Sequence, residues 1–185
     1  EYSNSGYVTL AKIVEEVSGS SFPEFMKENF FTPLEMEDTT LRHYNEGKPS
    51  PLIETYKQNG KLYSQNTCSW VGGDGGVFTT LKDIKKWAIF LAKESDLDEN
   101  ISNSIFTKSS NVETNYGRGM YINYTDEGVT FHYHKGSWRG ARSGIFYIPK
   151  HQLFFVFFGN NKNFDGGLNL FYSLNDMYMD FFESR

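Results

Sequence analysis

Apolar residues recur at three-and-four spacing from residue 7 to 18, with Tyr7, Leu10, Ala11, Val14 and Val17 on one face and Lys12, Glu15 and Glu16 off it. That spacing predicts an amphipathic helix, which Gly19 is placed to close. Ser21-Phe22-Pro23-Glu24 reads as a capping box with proline just inside a second helix. This helix carries Phe25, Met26 and Phe30 and should end near Pro33. Residues 37–70 show no period and hold Pro49, Pro51 and Gly60 as breakers. A glycine loop, Gly72 to Gly76, then leads to Thr80, a predicted cap for a helix burying Ile84, Trp87, Ala88 and Leu91.

From about residue 115 the period changes to that of strands. "YGRGMYIN", "VTFHYH", "RSGIFYIP" and "QLFFVFFGN" are strand candidates, the last two joined across Lys150-His151 as a hairpin. The run Leu153 to Phe158 is apolar at every position, which predicts a central strand covered on both faces. Leu168, Phe171, Tyr172, Leu174, Asn175 and Tyr178 return to helical spacing and predict a terminal helix over about 167–183. The predicted organisation is α+β: a helical lobe with loops to about 112, then antiparallel strands and a closing helix over about 113–185.

Composition narrows the choices. The 185 residues suffice for a real core, and an aromatic content of 17% argues against disorder. A net charge of −5 with scattered basic residues gives no footprint for nucleic acid. Cys68 stands alone, so an internal disulfide and a multi-thiolate metal site are excluded. No stretch reaches the length of a membrane helix, so stable membrane insertion is not expected.

Three segments carry candidate chemistry: Tyr2-Ser3-Asn4, the loop Gly72-Gly73-Asp74-Gly75-Gly76, and His134 to Ser143. Each has an ordinary reading as a turn, a tight loop and a packed strand. Asp74 suits a turn-stabilising role, and Cys68 has no basic partner nearby in sequence. Arg139 and Arg142 could bind a substrate carboxylate or form structural ion pairs. His132 and His134 alternate onto one strand face as a metal pair would, but no further ligand cluster accompanies them.

Taken in order, "YSNSGYVTLAKIVEEVSG", "FFTPLEMEDTT", "GDGGVFTTLKDIKKW" and "HKGSWRGARSGIFYIPKHQLFFVFFGN" resemble the β-lactamase-related serine hydrolases: class C β-lactamases, D-alanyl-D-alanine carboxypeptidases and esterases, the penicillin-recognising family. The resemblance covers nearly the whole chain, and residues 40–70 and 93–115 carry it least. It implies a β-lactamase/transpeptidase-like fold and acyl-enzyme hydrolysis of an amide or ester without a cofactor or metal. Tyr2 matches the tyrosine that relays a proton for the nucleophile, and Asn4 matches a substrate-amide binder. His134 and Gly136 match the first and third residues of the Lys/His-x-Gly wall. The backbone N–H of Ser137 matches one oxyanion-hole donor, a group that stabilises charge developing on the carbonyl oxygen. Arg142 is added as a candidate substrate binder. Histidine in place of the commoner lysine points toward peptidase- or esterase-like members, and Glu35 stands where the family usually has glycine.

One element is missing. The family activates its serine with a lysine three residues later, upstream of Tyr-x-Asn, and no serine of this sequence has that lysine. Thr9–Lys12 and Thr79–Lys82 have the spacing but fall inside segments matched to other family elements. The resemblance therefore implies that the nucleophile, its lysine and the early strands lie upstream of Glu1, so that the chain is a C-terminal portion, inert by itself. A small-molecule or peptide substrate is implied, and a bacterial periplasmic or extracellular setting. The sheet edge left by absent strands would favour self-association. Two other readings stay open: a non-catalytic binding module of the same fold, and a metal-dependent hydrolase using His132 and His134.

Overall fold

The computed structural model describes residues 2–41, 53–64, 72–92, 115–124, 128–163 and 173. The predicted terminal helix over about 167–183 lies outside them except for Ser173. The chain divides into two compact units. Over the described residues the first holds 2–41, 64 and 72–92, and the second holds 53–63, 115–124, 128–163 and 173.

The first unit is mainly helical. Helix α1 spans Asn4–Ser18, three residues longer at its start than the apolar spacing predicts, because Ser3 caps it. The Ser3 hydroxyl accepts the Gly6 N–H at 3.2 Å, which satisfies one of the unpaired donors of the first turn. Gly19 closes the helix at φ 74° and donates its N–H to Glu15. The buried face is narrower than predicted: Ala11 is buried, whereas Val17 is 83% exposed. Gly73, at φ 111°, is the reason Ala11 counts. A Cβ there would stand 2.7 Å from the Tyr7 carbonyl oxygen and 3.0 Å from the Ala11 Cβ. Only glycine lets the loop approach the helix backbone this closely.

Helix α2 spans Phe22–Met26 behind the predicted capping box, with Ser21 and Glu24 bonded reciprocally. It continues as a π-helical turn, Lys27–Phe31. The widened turn changes the phase of the side chains. Phe30 and Phe31 both reach a cluster with Met36, Leu41, Phe22, Met26, Leu34 and Trp87.

Strands β1 (Thr40–Leu41) and β2 (Val77–Phe78) form a two-residue antiparallel pair, and helix α3 follows over Leu81–Ala92. Thr80 caps it, accepting the Asp83 N–H at 3.2 Å. Asp83 itself is 0% exposed. Its carboxylate accepts the Asp38 N–H at 2.7 Å and the Thr39 hydroxyl at 2.9 Å, with Lys86 Nζ at 3.4 Å. Burial alone would raise its pKa, but the Thr39, Asp38 and Lys86 interactions outweigh that and hold it below the ordinary carboxylate value. Lys86 also donates to the Glu35 carbonyl. Glu35 adopts φ 56°, so the turn that would suit glycine persists with a side chain in the left-handed region.

The second unit is an antiparallel sheet in the order β3-β4-β5-β6: Tyr121–Tyr124, Thr130–Trp138, Ala141–Ile148 and Leu153–Gly159. One face buries Val129, Phe131, Phe146 and Ile148, against which Tyr133, Leu153, Phe155 and Phe157 pack. Gly144 belongs to this face, since Phe157 lies where its Cβ would be. A 3-10 turn, Pro149–His151, joins β5 to β6. Among the described strands β6 is an edge, not the centre predicted from its unbroken apolar run, and Phe158 is 45% exposed. Periodicity alone does not distinguish a central strand from an edge whose faces are both apolar.

The β4–β5 turn is Arg139-Gly140, with φ of 39° and 85°, a two-residue connection with both residues left-handed as tight hairpins require. Residues 53–63 brace it: Thr55 donates to the Arg139 carbonyl at 2.7 Å. A Cβ on Gly140 would lie 2.8 Å from the Tyr56 carbonyl oxygen. Tyr56 also bonds the Asn160 carbonyl and receives the Lys162 N–H.

Asp83→Ala is expected to lower the unfolding free energy by about 3 kcal/mol, because it removes the buried acceptor of the Asp38 N–H and the Thr39 hydroxyl. The wild-type contribution is present above the ordinary aspartate pKa and is lost as pH falls through the lower folded value. Urea denaturation of wild type and variant checks both, and equal midpoints at neutral pH would count against this account.

Candidate active site

The candidate residues fall in both units. In the first, Tyr2 and Asn4 flank the Ser3 cap at the start of α1. The serine turns back into the helix, and the tyrosine and asparagine are exposed on either side of it. The Tyr2 ring lies 5.8 Å from that of Tyr7, tilted by 42°. The two threonine–lysine pairs are otherwise engaged. Thr9 donates to the Ser5 carbonyl at 2.8 Å, and Lys12 holds Glu15 at 3.0 Å and Glu16 at 3.4 Å. These two carboxylates, Glu15 first, raise the Lys12 pKa, the opposite of what a general base needs. Thr79 shares a hydrogen bond with Thr39 at 2.7 Å.

In the second unit the β4–β5 register sets His134 opposite Ile145, Gly136 opposite Ser143 and Ser137 opposite Arg142. Alternation along β4 puts His134 and Gly136 on one face. Arg142 belongs to the other face, where its guanidinium donates to the Ala141 carbonyl at 2.9 Å and the Lys162 carbonyl at 3.2 Å. The structure thus brings His134, Gly136 and the Ser137 backbone together and sets the Arg142 side chain apart from them.

Two further residues join the group. The Ser143 hydroxyl occupies the place a Cβ on Gly136 would need, although the Ser143 Cβ is 3.6 Å from it. The Tyr116 hydroxyl lies 3.1 Å from His134 Nε2. Ser143 lay within the quoted motif without a role, and a two-period strand pattern would have paired it with Gly136. Tyr116 had no signal of its own, because its contact depends on the fold of residues 115–122.

Strand β3 pairs only with residues 130–133 of β4. Residues 134–138 therefore have no strand on that side among the described residues. This is the place where an extended ligand could add main-chain hydrogen bonds.

Both histidines are neutral near pH 7. His132, 2% exposed, is pushed down to about 4 by burial. Burial also lowers His134, and a backbone hydrogen bond with Lys135 opposes it in part. Among the described residues no three of His, Cys, Asp and Glu gather as metal ligands. No described helix is long and apolar enough to cross a membrane.

Helices and an antiparallel sheet with this element order define a β-lactamase/transpeptidase-like fold, and solved structures agree. A penicillin-binding protein from Bacillus halodurans superposes with a TM-score of 0.79 at 23% identity, covering 96% of this chain and 55% of that one. The Beta-lactamase family model matches residues 1–172, and the chain belongs to that family, the β-lactamase-related serine hydrolases. Among curated relatives, penicillin-binding protein 4* of Bacillus subtilis is 27% identical over 178 residues, 87% of this chain and 40% of its own length. A D-aminopeptidase of Gluconobacter oxydans is 25% identical over 168 residues, 88% of this chain and 31% of its own length. The chain thus spans less than half the length of these curated relatives.

Two outcomes follow from the site geometry. Gly136→Ala should leave the sheet intact, because the Ser143 hydroxyl can rotate away, whereas Gly144→Ala should destabilise it by about 2 kcal/mol or more, since Phe157 must move. Thermal unfolding distinguishes them. For His132, whose folded value of about 4 lies below the ordinary 6.5, the unfolded chain takes up the proton first as pH falls. Stability should therefore drop by roughly 3 kcal/mol between pH 7 and pH 4, and His132→Phe should flatten that slope.

Proposed function

We propose that the chain supplies residues of an acyl-enzyme site: Tyr2 and Asn4 from the start of α1, and His134, Gly136 and the Ser137 N–H from β4. The reaction is hydrolysis of an amide or ester, such as a β-lactam, a D-amino-acid peptide or a D-amino-acid ester. The observation that carries the reading is the partly open edge of β4. Residues 134–138 lack a neighbouring strand among the described residues, and Gly136 leaves the adjoining face without a side chain of its own. An extended substrate laid along that edge would present its carbonyl to the Ser137 N–H.

In this reading Tyr2 relays a proton and Asn4 holds the substrate amide, while the serine and its lysine come from residues outside these 185. Relatives that include a penicillin-binding protein and a D-aminopeptidase support D-configured peptides and β-lactams as the substrate class. Arg142 has no part in this scheme, because its guanidinium holds the carbonyls of Ala141 and Lys162. By itself the chain has no serine with lysine three residues on, which also favours a second reading, a binding module that holds such ligands without turnover. Strand β6, apolar and an edge among the described strands, supports self-association of the isolated chain.

Incubated alone with a fluorescent penicillin, a chromogenic cephalosporin and a D-alanine p-nitrophenyl ester, the chain should give neither turnover nor adduct. The complete product of its gene should be acylated on a serine that precedes lysine by three residues. An adduct on any residue of this chain would overturn the division of labour, and an unacylated complete product would favour the binding module. Sedimentation of the isolated chain should show association that rises with concentration, and a monomer throughout would remove the role of β6.

A further inference from the structure

Tyr116 is tied into the sheet by local geometry. It bridges to Tyr121, the Gly117 N–H bonds the Met120 carbonyl at 2.8 Å, and the Ile122 N–H bonds the Asn115 carbonyl at 2.7 Å. The Tyr116 ring stands edge-on to Tyr121 at 4.7 Å. This packing leaves the phenol few rotamers and directs its hydroxyl to His134 Nε2 at 3.1 Å. The imidazole is therefore flanked by two phenols, each with its ring centroid 6.0 Å away.

The direction of the Tyr116–His134 bond follows from the chemistry of the two groups. A phenol O–H is a stronger donor than a neutral imidazole N–H, and a ring nitrogen is a stronger acceptor than a phenol oxygen. In a neutral ring with its hydrogen on Nδ1 the lone pair is on Nε2, and Tyr116 is the donor. Among the described residues, the titratable side chains near the ring include Tyr116, Tyr121 and, two residues back on the same face of β4, His132. The His132 ring is neutral near pH 7. The charged Lys135 belongs to the other face of the strand.

We propose that Tyr116 is a positioning residue that holds His134 as a neutral acceptor, so that this wall of the site recognises an uncharged amide or ester and does not pair with a substrate carboxylate. The specificity rests on the hydrolase reading above, but the hydrogen-bond arrangement does not. The pair can therefore be tested on the chain without turnover.

Long-range proton–nitrogen correlation spectra of chain labelled with nitrogen-15 in histidine report the tautomer directly. For His134 the expected signature is a protonated Nδ1 and an Nε2 acceptor. Tyr116→Phe keeps the ring and removes the hydroxyl. It should shift the Nε2 resonance and raise the His134 titration midpoint toward the ordinary histidine value. Tyr121→Phe, which keeps the packing and does not touch the Tyr116–His134 bond, should change neither. Excess sodium acetate at constant ionic strength should leave the wild-type midpoint in place. A wild-type ring protonated on Nε2, a Tyr116→Phe spectrum unchanged at His134, or a midpoint raised by acetate would each overturn the proposal. Should the complete gene product prove inactive while the tautomer is as stated, the hydrolase reading fails and the pair stands.

Discussion

The register between β4 and β5 is the constraint on which the sheet side of the site depends. Side chains alternate across a strand, so a slip of one residue would carry His134 and Gly136 to the packed face and bring Lys135 to theirs. The Arg139-Gly140 turn prevents this. Two left-handed residues in sequence match the strand twist and join Trp138 to Ala141 with no residue to spare. Arginine in that conformation is strained, and the hydrogen bond from Thr55 to its carbonyl helps to hold it. Substituting Gly140 would drive a side chain into the Tyr56 backbone. The short segment 53–63 thus has a purpose that its irregular sequence does not announce: it fixes the turn that fixes the face.

In the helical unit the corresponding constraint is the carboxylate of Asp83. A buried charge survives only when its partners are in place, and here they come from the 38–39 turn and from the next turn of α3. The same Lys86 that faces Asp83 also holds the Glu35 carbonyl, so the left-handed turn at Glu35 and the start of α3 are tied through one ammonium. On the opposite side of the glycine loop, the approach of Gly73 to Tyr7 and Ala11 sets the helix that bears Asn4. Tyr2 and Asn4 are thereby placed from both ends: the Ser3 cap defines where the helix begins, and the loop defines where its body lies.

Much of this was legible in the residues, and the misses have physical causes. The capping box at Ser21, the Gly19 stop, the Thr80 cap and the four strands depend on local chemistry, which a sequence displays directly. Apolar spacing starts α1 three residues late because Asn4, Ser5 and Gly6 carry no apolar signal, although Ser3 is available as a cap. The π-helical turn at Lys27–Phe31 adds a residue to the period, and no spacing rule anticipates it. The place of β6, an edge among the described strands, is not legible because an all-apolar strand looks the same at a sheet's centre and at its edge. On the site, the shared face of His134 and Gly136 was implicit in their two-residue separation. The turning-away of Arg142 followed from the same alternation and was passed over in favour of its charge. Tyr116 was invisible, since eighteen residues and a chain reversal separate it from His134.

Charge explains why that last contact changes the chemistry of the wall. An ammonium at the first position of the motif would attract a carboxylate through solvent as well as by contact. A neutral imidazole has no such reach, and one whose Nε2 is engaged by a phenol has less reason to take up a proton. In the proposed site, recognition would then come from short-range hydrogen bonds and shape, which favours ligands whose main chain can lie along the open part of β4. Gly136 has no side chain of its own, and the Ser143 hydroxyl lies where its Cβ would be. In that proposal, histidine where the family commonly has lysine is more than a weaker version of the same interaction. Together with Tyr116 it exchanges long-range attraction for directional contact.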